Sequence, residues 1–430
     1  PFFFIFLTSK HSTLNIKLST LTSKNLHISQ IFRTFVAQMD KIIQYIIGFL
    51  VYGNQEAAKQ VGYTNLEEDW SNYRVVIIRN GHLGQKIVMP DMEELNIEKI
   101  TKGEKTTWVI RTDIVYNTFF YISRAEELVN LERDEHDRFL AKYSILGKNN
   151  RLMIPVVDEY ARMLMKLLGL ALPSPAFSHI YLTHDIDSVE QYRHWRGAIG
   201  GLVRGHWREV LSALNDVHND PAFTFSWLIK QDKKVESAKV LYFVKDTNGK
   251  GLDYPQYKLD GKDYTIAKQL IEHSEAKLGW HSSYYGAEAS LKGDIDRSFH
   301  RSHYLRCSID RMQELGDMGV KDDFTMMFAD QIGFRLQTTR AVRWINPKTM
   351  ELTNLTLHPM TVMDCTLSNA QYMGLNEDEA YFECQRLIEK VYQNAGELVL
   401  LWHNTIVTKE GYHRSLYPKL LNLLIETRDE

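Results

Sequence analysis

SHIYLTHDID, running from Ser178 to Asp187, is the stretch that decides the fold. Ile180, Tyr181 and Leu182 read as a buried strand, and the segment then turns polar and delivers two carboxylates, Asp185 and Asp187, at its end. The pattern repeats downstream in VLYFVKD (Val240 to Asp246) and in KLGWHSS (Lys277 to Ser283), which follows the helical run Tyr264 to Ala276. RSHYLR, FTMMFAD and LTLHPMTVMD continue the series. In the last unit Asn376 and Glu379 form a capping-box-like start. Ala380, Cys384, Leu387, Ile388 and Val391 make a helical stripe, Gly396 supplies the stop, and ELVLLW is a strand running into His403. Strands alternating with helices predict an α/β protein, and 176–430 is the span of one barrel of ~250 residues. The expectation is a distorted (β/α) barrel. Polar residues just after its strands would gather on one face, among them Asp185, Asp187, His281, Arg301, His303 and His403.

Upstream, 39–172 mixes short strand-like runs (Tyr73 to Ile78, Thr107 to Ile110) with a helix, Val156 to Leu168, that Gly169 ends. This predicts a smaller N-terminal α/β domain, closed by the proline-punctuated segment LALPSPAF. KIIQYIIGFLVY (Lys41 to Tyr52) reads as a buried first helix. Gln44 and Gly48 interrupt its apolar run, and Asp40 precedes it. Residues 1–38 hold ten Ser or Thr, four Lys or Arg and no acidic residue; they read either as an organelle transit peptide or as a disordered or non-native extension ahead of Met39. With no convincing signal peptide, the expected location is cytoplasmic.

Composition narrows the function. The 430 residues carry 51 Lys plus Arg against 54 Asp plus Glu, a formal charge of −3. That excludes a basic nucleic-acid footprint. The three cysteines, Cys307, Cys365 and Cys384, form no C-x-x-C pair, so neither a disulfide framework nor a thiolate zinc site organises the chain. No apolar run approaches the ~20 residues of a membrane span.

The residues themselves allow metal-assisted hydrolysis. One carboxylate with two neutral imidazoles suits Zn²⁺ or a similar divalent ion and leaves a position open for water. A second carboxylate can then act as base, and a histidine can protonate a leaving amine. D-x-D at a loop equally suits a solvated turn or a helix N-cap, and a lone His281 or His403 equally suits a hydrogen-bonded structural histidine.

Taken in order, THDID, GWHSS, RSHY and LWHN resemble the successive motifs of the polysaccharide deacetylases among the carbohydrate esterases, over roughly residues 178–405. YISRAEE (Tyr121 to Glu127) and RLMIPVVDEY (Arg151 to Tyr160) resemble the accessory N-terminal domain of one bacterial branch of that family. The resemblance implies a divalent-metal enzyme that removes acetyl groups from N-acetylated sugars in a distorted (β/α) barrel. It implies Asp185 as general base, Asp187 as carboxylate ligand and His281 as first histidine ligand. Arg301 would orient the base, the backbone N–H of Tyr304 would stabilise the oxyanion, and His403 would be the general acid, with Asp364 as its partner. Leu401 and Trp402 would line the substrate pocket.

One position departs from the pattern. The family usually has a second histidine four residues after the first, whereas here Tyr285 stands there. His303, in the place of the family's usual proline, is the expected replacement, with His300 as its rival. Tyr284, Tyr285 and Trp280 suit either a sugar cleft or the core. The alternatives to a glycan deacetylase are a C–N hydrolase of small amides or cyclic imides, and a non-catalytic glycan-binding or assembly protein on the same fold.

Overall fold

The computed structural model describes residues 23–91, 94–246, 251–254, 257–285, 295–408 and 411–429. Of the expected N-terminal extension, residues 1–22 therefore lie outside the described residues. The first helix, Ser23–Leu50, runs straight across Met39. Ile42, Ile46 and Leu50, spaced four apart, are fully buried along one side of it.

Two sheets organise the described residues. Val61–Tyr63 (β1), Val75–Ile77 (β2), Ile97–Lys102 (β3) and Lys105–Ile110 (β4) form the smaller, in the order β1-β2-β4-β3. The larger has nine strands: His179–Ile186 (β5), Ala238–Asp246 (β6), Lys277–Ser282 (β7), Asp296–Ser302 (β8), Asp322–Met326 (β9), Val342–Asn346 (β10), Glu351–Pro359 (β11), Val362–Met363 (β12) and Glu397–Leu401 (β13). Their order is β10-β11-β9-β8-β7-β6-β5-β13-β12, parallel throughout except for the β10–β11 pair. β11 and β12 are successive pieces of one short stretch. The first pairs with β9 and the second with β13, so this stretch bridges the two edges and curls the sheet into a barrel-like shape.

The last unit shows why this part of the pattern was readable. The helix Glu377–Gln393 begins with a complete capping box between Asn376 and Glu379. Its end differs from expectation. The left-handed residue is Ala395, at φ 51°, and not Gly396. Gly396 is needed for space, because a Cβ there would collide with the Thr339 side chain.

The smaller unit does not stand apart from the larger one. One apolar core runs from Ile42 and Phe119 through Leu164 to Trp280, Met312, Trp344 and Leu355. Buried polar contacts cross the same seam. Asp158 accepts from Thr338, Thr339 and Arg340, and Glu127 binds both Arg124 and Arg335.

At the closure of the curled sheet, His358 on β11 sits between Glu397 of β13 (2.8 Å) and Asp322 of β9 (3.0 Å), stacked on Phe324. Burial alone would depress its pKa, but Glu397 and Asp322 outweigh burial and raise it to about 9. The folded pKa exceeds the unfolded value of ~6.5. The charged ring therefore contributes fully below that value, and its contribution is lost as pH climbs through about 9. The stability advantage of the native protein over His358→Gln should shrink by ~3 kcal/mol between pH 6 and pH 10 in urea titrations. A difference that stays constant over that range would refute this account.

Candidate active site

The strand ends assemble the site. Arg301, the penultimate residue of β8, is fully buried inside the curled sheet, with Nε donating to the Phe324 carbonyl (3.0 Å). Its Nη2 donates to Thr183 (2.9 Å) and its Nη1 to Asp185 Oδ1 (2.8 Å). Asp185 is thereby fixed on one oxygen, and Oδ2 faces His281 Nε2 at 3.7 Å and His403 Nε2 at 3.9 Å.

Two residues further on, Asp187 Oδ1 lies 3.6 Å from His281 Nε2 and 3.5 Å from His303 Nε2. The donor atoms of these three residues all fall within 4.8 Å of one another. Each ring is held from behind. His281 Nδ1 lies 3.0 Å from the Arg301 carbonyl, and His303 Nδ1 lies 2.8 Å from Asp253 Oδ1. A carbonyl only accepts, so His281 carries its proton on Nδ1 and turns a lone pair inward. Carbonyl and carboxylate supports of this kind are what orient histidine ligands in metal sites.

Two buried atoms in this triangle, His281 Nε2 and Asp187 Oδ1, have no hydrogen-bond partner among the described residues. Leaving a buried acceptor unpaired costs ~1–3 kcal/mol. A divalent cation would satisfy both atoms, and the one-carboxylate, two-imidazole set fits such an ion. Burial would raise the Asp187 pKa, but the neighbouring His281 and the charges of His303, His403 and Lys245 hold it well below the usual carboxylate range.

Across the cavity His403 follows β13. Its Nδ1 lies 2.7 Å from Asp364 Oδ1, and its backbone N–H donates to Asp364 Oδ2 (2.6 Å). Burial would lower its pKa, but the Asp364 carboxylate raises it well above the ordinary histidine value. The next residue, Asn404, ties this strand end to the D-x-D loop by donating to the carbonyls of Ser188 (2.7 Å) and Ala222 (2.8 Å). Asp364, Cys365 and His403 also lie close enough together to surround an ion. Both Asp364 oxygens are engaged by His403, so Asp364 and His403 stand as a hydrogen-bonded pair, with burial pushing the neighbouring Cys365 thiol up to about 11.

These groups open into a cavity of about 560 Å³. A family of unknown function, DUF7033, matches residues 5–173 of the chain. Among curated proteins none matches. Among solved structures, the crystal structure of a candidate polysaccharide deacetylase from Mycobacterium smegmatis is similar at 11% identity and a TM-score of 0.40, over 60% of this chain and 88% of that one.

Of the residues singled out in the sequence, Asp185, Asp187, His281, His303, Tyr304 and His403 all line the cavity, with Arg301 directly behind Asp185. Tyr304 and Leu305 both adopt left-handed backbone, at φ 60° and 55°, a costly local conformation held by its surroundings. His300 is excluded from the ion triangle because Asp323 (2.7 Å) and Ser282 (2.9 Å) engage both its ring nitrogens. Leu401 and Trp402 are a correction. Both are fully buried and neither lies on the cavity wall. Successive strand residues point to opposite faces, which takes Trp402 out against Tyr417 and His413. Met363, Leu305 and Ala222 supply apolar wall instead. Tyr285 is exposed, and Trp280 is buried against His300.

Several cavity residues carried no sequence signal. Lys245, the penultimate residue of β6, lies beside Asp187, and burial lowers its pKa. Tyr254 and Tyr372 come from connecting segments, and Arg138 comes from the N-terminal unit. Arg138 is salt-bridged to Asp134 and donates to Tyr372 (2.9 Å) and to the carbonyl of left-handed Tyr304 (3.2 Å).

Proposed function

We propose that the protein is a metal-dependent hydrolase that removes acetyl groups from an N-acetylated sugar or polysaccharide. The observation that carries this reading is the pair of buried, partnerless atoms, His281 Nε2 and Asp187 Oδ1, with His303 Nε2 completing their triangle. Beside it stand a carboxylate pinned by Arg301 and an imidazole pinned by Asp364, the two proton-handling groups that amide hydrolysis requires. The motif series THDID, GWHSS, RSHY and LWHN supports a sugar as substrate, as does a cavity edged by Tyr254, Tyr304 and Tyr372.

Asp187, His281 and His303 would hold the ion, with zinc favoured by the nitrogen and oxygen donors. Such an ion would supply acidification of a water and polarisation of the amide carbonyl. Asp185 would take a proton from the attacking water, with Arg301 keeping the carboxylate aimed. The Tyr304 N–H would stabilise the oxygen on which negative charge develops. His403 gives its proton to the departing amine, and Asp364 stabilises the charged ring that precedes the transfer.

Purified protein should contain about one equivalent of zinc or a similar ion and release acetate from N-acetylglucosamine oligomers faster than from a panel of simple amides. His281→Ala and His303→Ala should each lower metal affinity more than Asp253→Ala, whose loss as a supporting group costs ~10–100-fold. Tyr285→Phe and His300→Ala should keep the metal. Retention of metal by His303→Ala would overturn the ligand assignment. Turnover of simple amides alone would replace the sugar with a smaller substrate.

A further inference from the structure

Between β5 and β6 the chain leaves the sheet as a hairpin of two helices, Trp195–Val203 and Trp207–Asn215. Its inward side is closely packed. Val210 and Ala213 are buried with Tyr192, and a Cβ on Gly201 would meet Val210 at 2.6 Å. Its outward side is apolar as well. Trp195, Ile199 and Leu202 on the first helix and Trp207, Leu211 and Leu214 on the second recur at i, i+4 and i+7, and all are about half exposed or more. With Val203, 82% exposed at the turn, they make up seven of the sixteen exposed large apolar side chains found among the described residues. Water-facing helices carry polar residues at such positions, and a clustered apolar face marks a binding surface.

The charges on this face indicate what covers it. Arg196, Arg204 and Arg208 accompany the stripe, and Glu209 is the one acidic residue between Trp195 and Asn215. The guanidinium of Arg196 lies over Trp195 at 5.1 Å and that of Arg208 over Trp207 at 5.0 Å. Tryptophan and arginine beside leucine and isoleucine is the composition that seats a helix among lipid headgroups, and arginine favours the anionic ones. A second copy of the same face would instead set arginines against arginines. Nine helical residues span only ~14 Å, well short of a ~30 Å bilayer core, and no helix among the described residues is long and apolar enough to cross a membrane.

We propose that the hairpin Trp195–Asn215 docks the protein on an anionic phospholipid surface. Gln191 and His194, at the hairpin's base, line the catalytic cavity. Tyr254, another cavity residue, packs against His194 and lies under Arg196 at 5.3 Å. Docking would therefore hold the cavity rim near the lipid surface. The docking itself does not depend on the hydrolase reading, and its test needs no substrate.

The intact protein should co-sediment with vesicles of phosphatidylcholine containing phosphatidylglycerol, more than with phosphatidylcholine alone, and less as salt is raised. The variant Ile199→Ser/Leu202→Ser/Trp207→Ser/Leu211→Ser should bind at least ~tenfold more weakly while keeping its circular dichroism and its urea-unfolding midpoint. Arg204→Glu/Arg208→Glu, which leaves the apolar stripe intact, should lose ~tenfold or more of the preference for the anionic vesicles. Native protein that ignores the vesicles, or variants that bind as well as it does, would overturn the proposal. So would a concentration-dependent dimer abolished by the serine variant in the absence of vesicle binding, which would assign the face to a second copy of the chain.

Discussion

Replacing Asp185 with asparagine should cut kcat by ~10²–10⁴ while metal content stays near that of the native protein. The two carboxylates of D-x-D are separated by their surroundings. Asp185 gives Oδ1 to Arg301 at 2.8 Å and stands outside the ion triangle, whereas Asp187 contributes Oδ1 to it. Asparagine is nearly isosteric and still accepts from Arg301 through its amide oxygen, so the site keeps its shape and loses only the group that accepts a proton. Steady-state rates alongside metal analysis decide the matter. If Asp185→Asn sheds the ion and Asp187→Asn keeps it, the two roles are reversed.

The second large effect is on stability. Glu127 is buried between Arg124, reached at 2.6 Å, and Arg335, also at 2.6 Å, and Arg124 further donates to the Cys307 carbonyl. Burial would raise the Glu127 pKa, but the two guanidiniums hold it at about 2. Glu127→Ala leaves two cations facing each other out of water, and breaking a buried ion pair from one side costs ~3–5 kcal/mol. The midpoint of urea unfolding should fall accordingly. A loss under ~1 kcal/mol, the value of a surface pair, would mean that water reaches the cluster. Because the cluster joins residues before the expected boundary near Pro173 to residues well beyond it, the loss should be felt by both units together.

What the sequence could disclose followed the range of the interactions. β5, β6, β7 and β13 are local patterns of apolar residues running into polar ones, and Asp185, Asp187, His281 and His403 sit just where such runs end, whereas Arg301 lies near the end of the largely polar β8 and His303 just after it. Leu401 and Trp402 were expected together on the pocket wall, although adjacent residues of an extended chain point opposite ways. Groups that enter from elsewhere left no local trace. Asp253 reaches His303 from a connecting segment, and Arg138 arrives from the N-terminal unit. Glu397 is an unremarkable strand start until the fold sets it beside His358. The shared apolar core was likewise hidden, since Trp280 and Trp344 look like interior residues of one unit and serve both.

Gly396 carries a consequence for how freely this sequence can drift. It has ordinary backbone, so nothing in its torsion angles demands glycine; the demand comes from Thr339 pressed against its Cα. Immediately after it begins β13, with Glu397 at one end and His403 just past the other. Any heritable change at position 396 that adds a side chain must shift either Thr339 or this strand, and His403 lies only seven residues further along the chain. The setting of His403 is thus answerable to a residue outside the cavity wall, and alanine, the mildest replacement in most proteins, already brings its Cβ against Thr339.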